Sequence, residues 1–166
     1  MPILKVLPAG VYLSVNASPA TITAGDLPAL FARNPCKSIV LEITEHEVVA
    51  DYAQFVCELG RLTQAGVEIA IDDVGTGYSG LSHLLKTKPH LMKLDIELVQ
   101  GIDGDLARQS LVKGLSHFAR TTGCRLVAEG VETVAELHTL RDLGVDLIQG
   151  YLLGRPSDVK TALAWF

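Results

Sequence analysis

Acidic residues recur at or just after the ends of short, β-branched apolar segments in this chain of 166 residues. They are Glu42, Asp72, Asp73, Asp95, Glu129 and, one helical turn further, Glu132. So many carboxylates in one place repel one another unless cations neutralise them. Carboxylate oxygens suit Mg²⁺, Mn²⁺ or Ca²⁺, whereas Zn²⁺ prefers His and Cys. The pattern therefore predicts an oxygen-lined metal site, in which adjacent Asp72 and Asp73 serve two ions, one each or one bridging.

Such a site predicts phosphoryl chemistry. Two metal ions about 3.5–4 Å apart activate a water and stabilise both oxygens of a phosphoryl displacement. Lys93 would supply a fixed positive charge near the reacting phosphate. The alternative is that the acids are solvated loop residues or helix N-caps, as expected for Asp158 and Asp26. We favour the metal site because placement at a strand end recurs so often.

A glycine pattern offers a second function. Gly75-Thr76-Gly77-Tyr78-Ser79-Gly80 matches GxGxxG between a strand and a helix, and Asp95 follows Gly75 at the distance of a ribose-binding acid. A dinucleotide-binding protein is thus an alternative from the motif alone. Asp72 and Asp73 would repel a pyrophosphate there, and the motif lies in the third strand–helix unit rather than the first.

Other catalytic patterns are weak. The five histidines form no HExxH pattern, and Ser79 lies in GYSG rather than in GxSxG. Tyr151 and Arg155 follow the last predicted strand, where contact with a ligand and packing of the closing loop are equally good interpretations.

The elements that position these residues alternate between strand and helix along the whole chain. Strands are predicted at 11–16, 38–44, 67–72, 91–95, 125–128 and 145–148. Helices are predicted at 27–33, 53–65, 79–85, 106–121, 134–143 and 158–165. Alternation with apolar strands predicts an α/β fold with a parallel sheet covered by helices.

All six strands deliver a polar side chain at their carboxyl ends, beginning with Asn16 and finishing with Gln149. Convergence at one rim favours a (β/α) barrel over an open doubly wound sheet, where the same residues would lie along a line. A closed barrel of eight strands takes about 250 residues. We therefore expect an incomplete TIM-type barrel of about six βα units, with two missing on the amino-terminal side.

Composition, net charge and cysteine spacing narrow the class of protein further. Hydrophobic residues make up 48% and the net charge is −5, which favours one globular domain over residues 1–166 and argues against binding a nucleic acid polymer. The three cysteines form no CxxC pair, which favours a reduced, cytoplasmic setting. Residues 6–25 are uncharged, but Pro8, Asn16 and Pro19 interrupt them, so we expect no membrane insertion.

Six ordered segments resemble the motifs of EAL-domain proteins, bacterial cyclic di-GMP phosphodiesterases on a modified TIM barrel. The segments are LSVNAS, LEITE, IAIDDVGTGYSGLSHL, MKLD, VAEGVET and IQGYLLGRP. The resemblance implies metal-dependent hydrolysis of cyclic di-GMP to the linear dinucleotide pGpG, with two Mg²⁺ or Mn²⁺ ions as cofactor. With two βα units missing, strands 11–16 and 145–148 would lie at open edges, so we expect a homodimer through paired or swapped edges or through the loop after Asp73.

The resemblance implies a role for each matching residue. Asn16, Glu42, Asp72 and Asp95 would bind metal, with Asp73 on a second ion. Lys93 would assist the nucleophilic water, and Glu129 would be the general base or a partner of the second metal. The substrate-binding or supporting residues would be Glu45, which holds the loop 73–79, and Gly75, Thr76, Gly77, Tyr78, Glu132, Gln149 and Arg155.

Two departures from the family pattern keep a second function open. The Glu-Ala-Leu motif, whose Glu binds metal, is absent from these 166 residues, and Val74 replaces the more usual Phe. The chain thus resembles a single truncated EAL-type domain. A non-catalytic module that binds cyclic di-GMP or regulates is the alternative to a weakened enzyme.

Overall fold

The structure, a computed structural model, describes residues 8, 10–32, 39–44, 49–75 and 80–164. It contains six strands, whose order in the sheet is the chain order, β1-β2-β3-β4-β5-β6. The chain divides into two compact units, residues 1–69 with 156–166 and residues 70–155. Among the described residues, no helix has the length and hydrophobicity needed to cross a membrane.

The first unit is built around two parallel strands, β1 (Leu13–Asn16) and β2 (Ile39–Thr44). Three helices, α1 (Pro19–Thr23), α2 (Leu27–Ala32) and α3 (Tyr52–Gln64), belong with them, and α3 contacts both α1 and α2. One face of α3 is apolar at helical spacing, so Phe55, Leu59 and Leu62 are buried. The helix α8 (Val159–Leu163) belongs to the same unit by residue range.

The second unit holds most of β3 (Glu68–Val74) and all of β4 (Leu91–Leu94), β5 (Arg125–Ala128) and β6 (Leu147–Ile148). The ladders from β3 to β6 are parallel. All four residues of β4 are buried, as expected for a central strand covered on both faces.

Helices connect these strands in the manner of βα units. They are α4 (Gly80–Thr87), α5 (Ile96–Val99), α6 (Leu106–Thr122) and α7 (Val134–Leu143), with a 3₁₀ turn at Ile102–Gly104. Gly123 and Gly144 end α6 and α7 in left-handed conformations, where a Cβ would be strained.

The structure confirms the predicted alternation and all six strands, with ends that shift by one or two residues. Two short helices, α1 and α5, were not expected, because four or five residues are too few to show helical periodicity. Asp158 accepts the Thr161 N–H at 3.1 Å and caps α8, as the sequence predicted.

Candidate metal centre

A β-bulge positions the two adjacent aspartates. Ile71 pairs with Met92 and Val74 with Leu94, so β3 carries one more residue than β4 across this stretch. Asp73 takes up the extra residue with φ of 57°, a left-handed conformation that is uncommon outside glycine but tolerated by Asp. The bulge breaks the alternation of the strand, and both aspartates are half-buried at its carboxyl end.

Lys93 bridges two carboxylates in the middle of this centre. Its Nζ lies 3.0 Å from Asp72 Oδ1 and 2.7 Å from Glu129 Oε1. The lysine side chain is only 8% exposed, so its charge is balanced by these contacts rather than by water alone. Three elements therefore meet here: Asp72 comes from β3, Lys93 from β4 and Glu129 from the residue after β5.

Asp72, Asp73 and Glu129 can share a cation. Each offers a carboxylate oxygen, and the three oxygens lie within 4.8 Å of one another. All three side chains are half-buried, and one lysine offsets part of their charge. An all-oxygen donor set with surplus negative charge fits a hard divalent cation such as Mg²⁺, Mn²⁺ or Ca²⁺.

The loop that carries Glu129 is held at almost every backbone N–H. The backbone N–H of Glu129 donates to the carbonyl oxygen of Leu94 at 3.3 Å, and the backbone N–H of Val131 donates to the carbonyl oxygen of Gln149 at 3.1 Å. The N–H groups of Glu132 and Thr133 both donate to Glu136 Oε2, at 3.0 and 2.9 Å. Glu129 thus projects from a rigid support rather than from a free loop.

Glu136 is a buried acid that the sequence interpretation missed. Burial by itself raises the pKa of this carboxyl group, but the N–H groups of Gly101, Glu132 and Thr133 and the Thr133 hydroxyl outweigh it, so the pKa is lowered. The signal was present, because Thr133-x-x-Glu136 is a capping box, and the structure shows both of its hydrogen bonds.

Asp95 is a predicted metal ligand that the structure shows to be a helix N-cap. Its Oδ1 accepts the Glu97 N–H at 2.6 Å and caps α5. Within the part of the chain that the structure describes, the acids that meet are Asp72, Asp73 and Glu129, and Asp95 is outside that group. Its role as a metal ligand stays a prediction.

Asn16 and Glu42 lie in the first unit, where they are register partners at the carboxyl-terminal part of β1 and β2. The Ser14 hydroxyl donates to the Glu42 carboxylate, and Ala17 donates to the Glu42 carbonyl at 2.9 Å. The expectation that both side chains bind metal stays a prediction.

Of the glycine pattern after β3, the structure describes only the two end residues, Gly75 and Gly80. Gly75 has φ of 122°, and a Cβ there would collide with the Leu98 side chain. Close packing therefore explains this glycine without a phosphate. Glu45, Thr76, Gly77 and Tyr78 lie outside the described residues, so their predicted roles in the loop and in substrate binding stay predictions.

The remaining predicted contacts lie on exposed side chains of the second unit. Glu132 and Gln149 are exposed, while their backbones join the loop after β5. The Arg155 guanidinium stacks 4.5 Å from the centre of the Tyr151 ring, and both side chains are exposed. In the described part of the chain, no contact joins Glu132, Gln149, Tyr151 or Arg155 to the acid group, and their roles toward a substrate stay predictions.

The chain belongs to the EAL-domain family, whose model matches residues 3–156. It is 36% identical over 126 residues to the bifunctional diguanylate cyclase/cyclic di-GMP phosphodiesterase MucR of Pseudomonas aeruginosa, covering 76% of this chain and 18% of MucR. It is 30% identical over 156 residues to the cyclic di-GMP phosphodiesterase PdeF of Escherichia coli, covering 90% of this chain and 21% of PdeF. The chain thus spans about a fifth of the length of these curated relatives.

Solved structures show the same fold. The EAL domain of Mycobacterium smegmatis DcpA matches with a TM-score of 0.87 and 33% identity, covering 93% of this chain and 72% of that one. A manganese/cyclic di-GMP complex of Klebsiella pneumoniae BlrP1 matches with a TM-score of 0.80 and 36% identity, covering 93% and 41%. The fold is therefore α/β, with six βα units of a TIM-type barrel, as the sequence predicted.

Proposed function

We propose that this chain is a metal-dependent phosphodiesterase that hydrolyses cyclic di-GMP to the linear dinucleotide pGpG. The observation that carries the proposal is Lys93, held between Asp72 and Glu129 beside Asp73. The relatives named as cyclic di-GMP phosphodiesterases support the substrate, and the calcium and manganese complexes of BlrP1 with cyclic di-GMP support a divalent cation.

Each residue of the centre has a distinct part in this chemistry. Asp72 and Asp73 would hold two Mg²⁺ or Mn²⁺ ions, and the family resemblance alone predicts Glu42, Asn16 and Asp95 as further ligands. Bound divalent ions lower the pKa of water and stabilise negative charge on the reacting phosphate. Glu129 would accept the proton of the attacking water as general base or hold the second metal with Asp73, and Lys93 would keep a positive charge beside the phosphate.

A non-catalytic module that binds the same dinucleotide is the second candidate, favoured by the absence of the Glu-Ala-Leu motif from these 166 residues. Loss of one ligand loosens a metal rather than deleting its site, and changes of this kind typically cost about 10–100-fold in affinity or activity. For these 166 residues, we therefore propose weak activity that rises with Mn²⁺ concentration.

The test is turnover of cyclic di-GMP with Mg²⁺ or Mn²⁺, followed by nucleotide chromatography, beside binding measured by calorimetry. We expect slow formation of pGpG, a loss of about 10²–10⁴-fold in Glu129→Ala, and retained binding in that variant. Binding without turnover at every metal concentration would replace the enzyme with the binding module. Neither binding nor turnover would overturn both functions.

Three further properties form part of the proposal. Residues 1–166 would belong to a single EAL-type domain, placed in the cytoplasm. The free thiols of Cys57 and Cys124 are compatible with a reducing setting. We propose a homodimer because β1 and β6 stand at the two ends of the strand order in the part of the chain that the structure describes, and open strand edges favour pairing with a second chain. Light scattering that shows a monomer at micromolar concentration would contradict the dimer.

A further inference from the structure

Glu136 stands out as a buried acid that the proposed chemistry does not use. It is 5% exposed, and its carboxylate oxygens accept from the backbone of two separate segments. Oε1 accepts the Gly101 N–H at 2.8 Å, and Oε2 accepts the N–H groups of Glu132 and Thr133 at 3.0 and 2.9 Å. We call these three hydrogen bonds the Glu136 clamp.

The two segments joined by the clamp each carry a candidate functional acid. Glu132 and Thr133 end the loop that begins with Glu129, directly after β5. Gly101 ends the turn after α5, the helix that Asp95 caps. One carboxylate therefore ties together the segments that follow β4 and β5.

Packing between these segments leaves little room for adjustment. A Cβ on Gly130 would collide with the side chain of Ile96 in α5, and one on Gly150 would collide with the Val131 backbone. The loop after β5 is thus enclosed by α5 on one side and by the residues after β6 on the other. Within that enclosure, the clamp fixes the end of the loop opposite to Glu129.

We infer that Glu136 is a positioning residue, which holds the loop after β5 so that Glu129 meets Asp72 and Asp73 at the metal centre. The inference rests on the proposed function for its metal. A neutral side chain such as Gln cannot reproduce these three hydrogen bonds. Three N–H donors converge on the two oxygens of the carboxylate, and an amide offers only one acceptor oxygen. Without it, these part-buried N–H donors would lose their acceptor, and the loop would shift as they find other partners.

The test compares Glu136→Ala with Glu58→Ala in the full chain. Glu58 is a matched control, because it is also a buried acid, 6% exposed, but it pairs with Arg61 in the first unit. Mn²⁺ binding is measured by calorimetry, and amide hydrogen exchange is followed at Gly101, Glu132 and Thr133. We expect Glu136→Ala to raise the Mn²⁺ Kd about 10–100-fold and to speed exchange at these amides. Glu58→Ala should lower stability without changing the Kd.

A folded Glu136→Ala variant whose Mn²⁺ Kd equals that of the wild type would overturn the inference. If Glu136→Ala does not fold, Glu136→Gln is tested instead, because it keeps one acceptor oxygen. An unchanged Mn²⁺ Kd in Glu136→Gln would also overturn the inference. A wild-type chain that binds Mn²⁺ without turnover refutes the proposed hydrolysis alone, and the clamp is still judged by metal affinity. A wild-type chain that binds no Mn²⁺ refutes both.

Discussion

Lys93 shows how one buried cation can organise a site whose other members repel one another. Its amino group contacts Asp72 and Glu129, and its side chain is 8% exposed. Removing one partner from a buried ion pair leaves an uncompensated charge, which costs more than the pair contributes. Lys93 therefore holds two acids near Asp73 without a metal, and a cation that binds there meets an arrangement already formed.

Asp72→Asn tests the metal centre at this scale. The substitution keeps the shape of the side chain and removes its charge, so we expect the Mn²⁺ Kd to rise about 10–100-fold and turnover to fall below detection. The fold should persist, because Asp72 is at a half-buried edge and Lys93 retains Glu129. Calorimetry and circular dichroism provide the measurements. Asp142→Asn is the control, since Asp142 is exposed in α7 and pairs with Arg141. Equal Mn²⁺ affinity in the two variants would contradict the assignment.

The bulge in β3 is the element that makes adjacent aspartates usable together. In a regular strand, consecutive side chains point to opposite faces, so Asp72 and Asp73 would be separated. The extra residue and the φ of 57° at Asp73 remove that alternation. The cost is a backbone conformation that Asp and Asn tolerate and that β-branched residues strongly resist.

Substitution at position 73 should reveal this backbone cost. Both Asp73→Asn and Asp73→Val remove the charge, but only valine resists the left-handed conformation. We expect Asp73→Val to be less stable than Asp73→Asn by about 1–2 kcal/mol in metal-free urea unfolding. The same pair at Asp72, which has no positive φ, is the control and should lack this penalty. Equal stability of the two variants at position 73 would show that the bulge is not maintained in solution.

The amino-terminal end of α7 gives a prediction on pH. The pKa of Glu136 is lowered from its usual value of 4.5, so its contribution to stability is present above that value and is lost as the pH falls through the lower folded-state pKa. Glu136→Gln should therefore be less stable than the wild type at pH 7, and the difference should narrow below pH 4.5. Urea unfolding across this range measures it. A difference that is independent of pH would contradict the lowered pKa.

At the scale of the whole molecule, charge makes cations necessary for an anionic substrate. The chain has a net charge of −5, and its candidate site adds three half-buried acids to one lysine. A cyclic dinucleotide with two phosphates would be repelled by such a surface. Divalent cations reverse the local sign, so the same ions that serve the proposed chemistry would also permit binding.

Metal binding should stabilise the whole chain. A ligand that binds only the native state at 100 times its Kd adds about 2.7 kcal/mol. For a chain of this size, that corresponds to a rise in Tm of roughly 5–10 °C. Thermal melting with and without Mg²⁺, Mn²⁺ or Ca²⁺ measures the effect, and an Asp72→Asn/Asp73→Asn double variant should lose it. A wild-type Tm that none of the three ions raises would refute the metal centre.

Much of the architecture could be predicted from local patterns. Apolar β-branched segments and helical periodicity located all six strands and the longer helices, because both signals arise from burial of one face or of a whole strand. The short helices α1 and α5 were not predicted, because they depend on caps at Ser18 and Asp95 rather than on periodicity. The capping box at Thr133 was readable but was not interpreted.

The sequence by itself determined the family, the parallel α/β architecture and the acids available for a metal, because these follow from residue type and order. Only the tertiary structure decided which acids meet. The bulge brought Asp72 and Asp73 to one edge, Lys93 joined Asp72 to Glu129, and Glu136 joined its own loop to the distant Gly101. Each of these depends on strand register or on contacts between residues distant in the chain, which no local pattern encodes.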